Sequence, residues 1–160
     1  MSISLIAAVS KNGVIGKAND LPWDIPEDRK HFRDMTMNKV VLMGRKTFDS
    51  ILARLGKPLP GRKNVVVTRG RDLKGSESLE VFHTIEEALE KYRNDDVFVI
   101  GGGQIYEQTI GVADTLYITH VNQEVKGDAF FPKIQPGKWE KIEEQMRDGY
   151  SFATYKKRML

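Results

Sequence analysis

The sequence predicts an α/β fold: a single domain built on a central, mostly parallel mixed β-sheet flanked by helices, closing in a C-terminal antiparallel hairpin. Three observations carry that prediction. Apolar runs of strand length alternate with stretches of helical periodicity, the order that strand–helix–strand units impose. The runs are apolar throughout rather than at every second residue, which fits strands covered on both faces by helices. Beyond Pro132 the pattern changes to two long strands about a short turn, which reads as antiparallel pairing.

The elements follow in chain order. ISLIAAV is the first strand, and a helix starts after it at Asp24-Ile25-Pro26-Glu27. There Asp24 is the expected N-cap, the proline lies in the first turn, and Glu27 closes a capping box. VVLMG and NVVVTR are strands around the helical pattern KTFDSILARL, and LEVF, TIEEALEKY and DVFVIGGG continue the alternation. QIYEQTI reads as a short helix and DTLYITHV as a strand. WEKIEEQM and YSFATYKKRML form the hairpin about the turn residues RDG. No repeat or polar linker divides the chain, and residues 1–160 are taken as one domain.

Bulk properties narrow the function. A chain of 160 residues with 40% hydrophobic residues can bury one substantial core. The absence of Cys excludes disulfides, thiolate catalysis and Cys-ligated metal centres. The three histidines, His31, His83 and His120, are dispersed without metal-ligand spacing, so no metal is expected. The leading MSISLIAAVSKNGVIG is too short an apolar run for a membrane span and lacks the charged start of a signal peptide. The expectation is a soluble, cytoplasmic protein with no membrane partner. A formal net charge of +3 suits an anionic ligand or an ordinary surface, and no basic run or aromatic-interleaved patch points to nucleic acid. A monomer is the default.

Asp28 is the acid without an easy structural explanation. Steps of three, four and seven residues from it reach His31, Phe32 and Met35, so it shares the face carrying large apolar side chains, while Arg29, Lys30, Arg33 and Asp34 form the wet face. A carboxylate on the buried side needs a partner or a raised pKa, and either makes it a candidate for chemistry. A first-turn acid favoured by the helix dipole is the competing reading.

Three strand ends offer phosphate contacts. Gly101-Gly102-Gly103 joins the strand VFVI to the helix QIYEQTI, where free N–H groups and close backbone approach suit a phosphate; a purely structural turn competes with that reading. GGGQIY lacks the last glycine of a Rossmann fingerprint. At Gly44, a strand ends and Arg45, Lys46 and Thr47 open a helix, placing cations at the pole that disfavours them unless an anion bridges them. No glycine stands five residues before Lys46, so this is not a Walker motif. VVVTRG adds Thr68 and Arg69 at a third end, and the phosphates of a dinucleotide fit the layout. PLPGRKN holds Arg62 in a proline-stiffened loop, where it can capture a carboxylate or simply be solvated.

Taken together, SLIAAVSKNGVIGKANDLPWDIPED, KVVLMGRKTF, PLPGRKNVVVTR, VFVIGGGQIYE, LYITHV and EVKGDAFFP resemble dihydrofolate reductase in order and spacing over nearly the whole chain. The resemblance implies NADPH as cofactor, dihydrofolate as the small-molecule substrate, and hydride transfer to C6 with protonation at N5. Asp28 matches the carboxylate that grips the pteridine through its 2-amino group and N3, and Thr119 matches the residue linked to that carboxylate. Ile6 and Ala7 match first-strand positions whose backbone borders the ring; Ile100 and Tyr106 match positions beside pterin and nicotinamide. Phe32, Ile51 and Leu59 would pack on the p-aminobenzoyl group, with Arg62 on the glutamate α-carboxylate. Arg45, Lys46, Thr47, Thr68 and Arg69 match the adenosine-phosphate region, their charge favouring a 2′-phosphate. Gly101, Gly102 and Gly103 match a junction with a cis Gly-Gly bond near the nicotinamide and pyrophosphate. Ala8, Ile15, Gly16, Gly44, Gln104 and Ile105 complete the implied cofactor contacts. Ala18, Asn19, Leu21 and Trp23 match a loop that closes over the nicotinamide, with Asn19 a cofactor contact and Leu21 and Trp23 counted among the catalytic set.

Two positions depart from the family pattern. Arg29 stands where many relatives have an apolar residue facing the folate tail, and ILARLGK is longer than in many relatives, which bears on the placing of Ile51. A related reductase of another pterin-like or pyrimidine compound, as in riboflavin synthesis, is the first rival function, and a nucleotide-binding module without turnover is the second. Asp28 and Arg62 argue against the first, since both suit a 2-amino-4-oxo pteridine bearing a glutamate, and a binding module has no need of a lone buried acid.

Overall fold

The computed structural model of the chain describes residues 2–16 and 23–159. Its first half runs β1 (Ser2–Ser10), β2 (Val14–Gly16), α1 (Pro26–Thr36), β3 (Val40–Gly44), α2 (Arg45–Leu55), β4 (Lys63–Val67) and β5 (Leu79–Phe82). The second half runs α3 (Ile85–Lys91), β6 (Asp96–Gly101), α4 (Gly103–Thr109), β7 (Thr115–Val121), β8 (Ala129–Phe130), β9 (Trp139–Met146) and β10 (Tyr150–Lys157).

Eight strands form one sheet in the order β5-β4-β3-β6-β1-β7-β10-β9. Every pairing from β5 to β7 is parallel, and the pairings of β10 with β7 and with β9 are antiparallel. The expected mixed sheet and terminal hairpin are therefore both present. The expectation lacked the small sheet of β2 and β8, whose strands of three and two residues are too short for any periodicity to reveal.

Two apolar layers sandwich the sheet. On one face Ile6, Met43, Phe48, Ile51, Leu59, Val66 and Phe98 cluster with Phe32 and Met35 of α1. On the other, Leu5, Val9, Leu42, Val65, Val99 and Leu116 pack with Ala88 of α3 and Tyr106 of α4. Phe48 is 1% exposed, and full burial of such a side chain contributes about 1.5–3 kcal/mol. The continuous apolar runs thus serve both layers at once. β9 lies at the sheet's edge, and all of its residues but Trp139 are exposed, its charges guarding an unpaired strand.

The start of α1 corrects the sequence reading. Ile25, not Asp24, is the N-cap, and no side chain caps the helix. Because the helix begins at Pro26, Asp24 falls outside it and pairs with Arg29, while Glu27 turns to Arg147 and Tyr150. A side-chain N-cap stands instead at α3, where the Thr84 hydroxyl accepts from the Glu87 N–H and donates to the Glu87 carboxylate. The long ILARLGK segment is absorbed as the last turn of α2, closed by Gly56 in the left-handed conformation, and Ile51 stays 4% exposed.

Candidate active site

The helical period predicted for α1 places its residues as expected. Asp28, His31, Phe32 and Met35 are half-buried and Arg29, Lys30, Arg33 and Asp34 are exposed. Asp28 faces β7, where the Thr119 hydroxyl donates to its Oδ1 at 2.6 Å. Burial pushes the Asp28 carboxyl above its ordinary value, against the smaller opposing effects of the Thr119 hydrogen bond and the His31 charge. His31, stacked on Phe152 with ring centroids 4.4 Å apart, is pushed down by its own burial. Removing the Thr119 donor removes an influence that lowers the Asp28 pKa. Thr119→Val is therefore expected to raise that pKa further, as read from the pH titration of the Asp28 side-chain carboxyl carbon by NMR; a lower value would contradict the bond's role.

Around this acid the sheet builds an apolar wall. Ile6, Ile51 and Leu59 are buried in one cluster, against which Phe32 and Ile100 pack. Ala7 and Ala8 lie in register with Ile118 and Thr119 on the neighbouring strand. Tyr106 is buried and donates its hydroxyl to the Ile6 carbonyl at 2.7 Å, tying α4 to β1. Trp23 Nε1 is buried with no hydrogen-bond partner among the described residues. A buried donor of this kind costs free energy unless a water, a ligand atom or another residue receives it.

Arg62 directly precedes β4, and a buried residue of that strand ties its loop in place. The fully buried Asn64 side chain accepts from Leu59 N and donates to the carbonyls of Leu59 and Arg62, all within 3.1 Å. That network was not legible, since an Asn inside a strand gives no local signal of its partners. The Arg62 guanidinium donates to the Pro60 carbonyl and to Thr36 Oγ1, leaving donors for a further acceptor. Burial and the nearby Arg33 charge hold its pKa below the usual arginine value, so a carboxylate there relieves an uncompensated charge.

The predicted strand ends lie side by side, because β4, β3 and β6 are neighbours in the sheet. Gly44 and Gly102 are the N-caps of α2 and α4, and neither helix start carries a side-chain cap. A Cβ at Gly102 would stand 3.6 Å from Thr47 Oγ1, and one at Gly44 would be 3.1 Å from Ile105 Cγ1. The two bare N-termini are therefore adjacent and accessible to a phosphate. The Gly101–Gly102 peptide is cis. Gln104, Lys46 and Arg69 are exposed beside this junction, and Ile15 lies 4.0 Å from the Cβ position of Gly103. Thr68 Oγ1 accepts from Gly70 N, and Thr68 O meets His83 Nδ1 at 2.8 Å. Arg45 is held by Asp49 and, through two parallel bonds, by Asp72. Sequence reading missed Asp72, whose carboxylate stands where a phosphate would suit the same fork. Gly16 is buried in β2; Ala18, Asn19 and Leu21 lie outside the described residues.

Comparisons with known proteins bear on the chain as a whole. The family model described as dihydrofolate reductase matches residues 2–158. Dihydrofolate reductase type 3 of Salmonella typhimurium is 42% identical, aligned over 89% of this chain and 86% of its own. Dihydrofolate reductase HdrB of Haloferax volcanii is 40% identical over 96% of this chain and 82% of its own. The solved structure of dihydrofolate reductase from Enterococcus faecalis, complexed with NADP(H) and RAB-propyl, superposes with a TM-score of 0.87 at 30% identity, covering 99% of this chain and 97% of that one. With both sequence and fold matched along nearly its whole length, the chain belongs to the dihydrofolate reductase family.

Proposed function

We propose that this protein reduces 7,8-dihydrofolate to 5,6,7,8-tetrahydrofolate with NADPH, and that the residues above divide the work. The observation that carries this reading is Asp28: a carboxylate raised by burial, fixed at 2.6 Å by Thr119, against an apolar wall. NADPH, when bound, supplies the hydride for C6; the chain binds and orients the reactants. Asp28 grips the 2-amino group and N3 of the pteridine and draws a proton from water towards N5, so one hydride and one proton are added and NADP+ is released. Trp23 Nε1 can hold the water or substrate oxygen at this end of the ring. Ile6, Phe32, Ile51, Leu59 and Ile100 exclude water from the ring and the benzoyl group. Gly44, Thr47 and the glycine junction would receive the pyrophosphate, with Arg45, Lys46, Thr68 and Arg69 at the adenosine phosphates, and Tyr106 orients the first strand beneath the ring. We place the enzyme as a monomer in the cytoplasm.

The test is loss of NADPH absorbance on adding 7,8-dihydrofolate, run beside NADH. Rapid oxidation that prefers NADPH is expected, and binding without oxidation would favour the non-catalytic module. Arg62→Leu is expected to raise KM for dihydrofolate by roughly ten- to a hundredfold, the worth of a charge-assisted bidentate contact, with kcat little changed. The same variant should leave the KM of a dihydropterin lacking the glutamate tail unaltered.

A further inference from the structure

We propose that the β9–β10 turn is a positioning clamp for Asp28, in which Arg147 and Tyr150 grasp Glu27 and so fix the first turn of α1; this rests on the reading of Asp28 as the substrate-binding acid. The Tyr150 hydroxyl donates to Glu27 Oε1 at 2.6 Å, and Arg147 Nε lies 3.1 and 3.0 Å from the two Glu27 oxygens. These partners are 120 and 123 residues from Glu27 in sequence, so no local folding rule brings them together.

The need for such a clamp follows from how α1 begins. Its N-cap is Ile25, which offers no side-chain acceptor, so among the described residues only backbone bonds to the Ile25 carbonyl and the exposed Asp24–Arg29 pair anchor the turn that carries Asp28 locally, and neither fixes it to the rest of the fold. Three cross-contacts do so instead: Glu27 to the turn, Asp28 to Thr119, and His31 to Phe152. Phe152 and Thr119 are direct partners in the β10–β7 register, so all three contacts reach one rigid pair of strands. Arg147 also lies 5.5 Å from the centroid of the Phe152 ring, and Tyr150 meets the same ring edge-on. The turn is thereby fixed to the strand on which His31 rests.

Glu27 and Arg147 are partly exposed, with side chains 43% and 37% accessible, and ion pairs of that kind add little to folding stability. Their effect is expected in placement, where a displacement of about 1 Å at a reacting group can cost up to 10²-fold in rate. The ionisable groups facing Asp28 are His31 on its own helix, Tyr106 of α4 and Tyr150 of β10. Glu27 and Arg147 reach Asp28 electrostatically through His31 and Tyr150, so the KM change, with no further rise in the double variant, is the readout that reports placement.

The test compares Glu27→Gln, Arg147→Met, the double variant and Arg147→Lys with the unaltered enzyme. Expected are a KM for dihydrofolate raised roughly tenfold in each single variant, no further rise in the double, and partial recovery in Arg147→Lys. Because a freed Asp28 is better hydrated, its pH titration profile, read at the side-chain carboxyl carbon by NMR, should also move down. NADPH affinity should hold, and Tm should stay within about 3 °C. Unchanged KM and pH profile would overturn the clamp, as would activity lost only in step with Tm. Asp28→Asn run alongside separates the two ideas: full turnover there removes the underlying role of the acid, whereas its loss beside an unaffected Glu27→Gln removes the clamp alone.

Discussion

An Asp28→Asn variant is expected to fold, bind NADPH nearly as well as the parent, and turn over dihydrofolate roughly 10²–10⁴-fold more slowly at pH 7, the contribution usual for a positioned acid–base group. The amide keeps the shape and can still accept from the Thr119 hydroxyl, but it cannot carry the negative charge that holds the pteridine or raise the proton affinity at N5. As pH falls, solvent protons replace that influence, so the gap between variant and parent should narrow towards pH 5. Stability should move the other way. The folded-state pKa of Asp28 lies above its unfolded value, so the stability it contributes is fully present below the unfolded pKa and is lost as pH rises through the folded one. At neutral pH the ionised carboxylate is thus a cost, and the ligand-free variant is expected to melt at or above the parent. Turnover equal to the parent, or a melting point well below it, would contradict the assignment.

The second large effect is expected at Gly101. Its φ of +120° belongs to a region that side-chain-bearing residues rarely adopt, and a Cβ there would come within 3.3 Å of the Tyr106 ring and hydroxyl. Gly101→Ala therefore combines backbone strain of about 1–3 kcal/mol with displacement of a ring that is packed in the core. At about 2–4 °C per kcal/mol for a chain of this size, with the steric effect added, Tm should fall by about 5–10 °C. Moving Tyr106 also disturbs its bond to Ile6, so NADPH affinity and turnover should drop together, by more than tenfold. Thermal unfolding and NADPH fluorescence titration check both, and a variant matching the parent in the two would show that the junction tolerates a side chain.

How far the sequence could be read depended on the range of each interaction. The two faces of α1 were legible because a 3.6-residue period is written into consecutive residues, and it placed Asp28 beside Phe32 on the half-buried side. The sheet class was legible from continuous apolar runs. The capping box at Asp24 misled because Ile25 before Pro26 can serve as a helix boundary without a polar side chain, which composition does not disclose. Asp72 on Arg45, Asn64 beneath Arg62 and Arg147 on Glu27 were illegible for a common reason. Each depends on loops or strands meeting in space, and neither residue type nor local spacing carries that information. Resemblance supplied the roles of individual site residues, and physical pattern alone stopped at a buried acid, a loop-held guanidinium and three glycine-rich strand ends.

The separations across the site have a consequence for how the chain acquires activity. Asp28 meets Thr119 across 91 residues, Tyr106 meets Ile6 across 100, and Arg147 meets Glu27 across 120. Helices can form within microseconds from neighbouring residues, but these contacts require most of the parallel sheet to have threaded itself first, and such non-local pairing is slow. Helical signal should therefore recover early on refolding and catalysis late, so that enzymatic activity serves as a clock for completion of the topology. The cleft is in this sense the last part of the molecule to exist, and a substrate that binds it selects chains whose folding is finished.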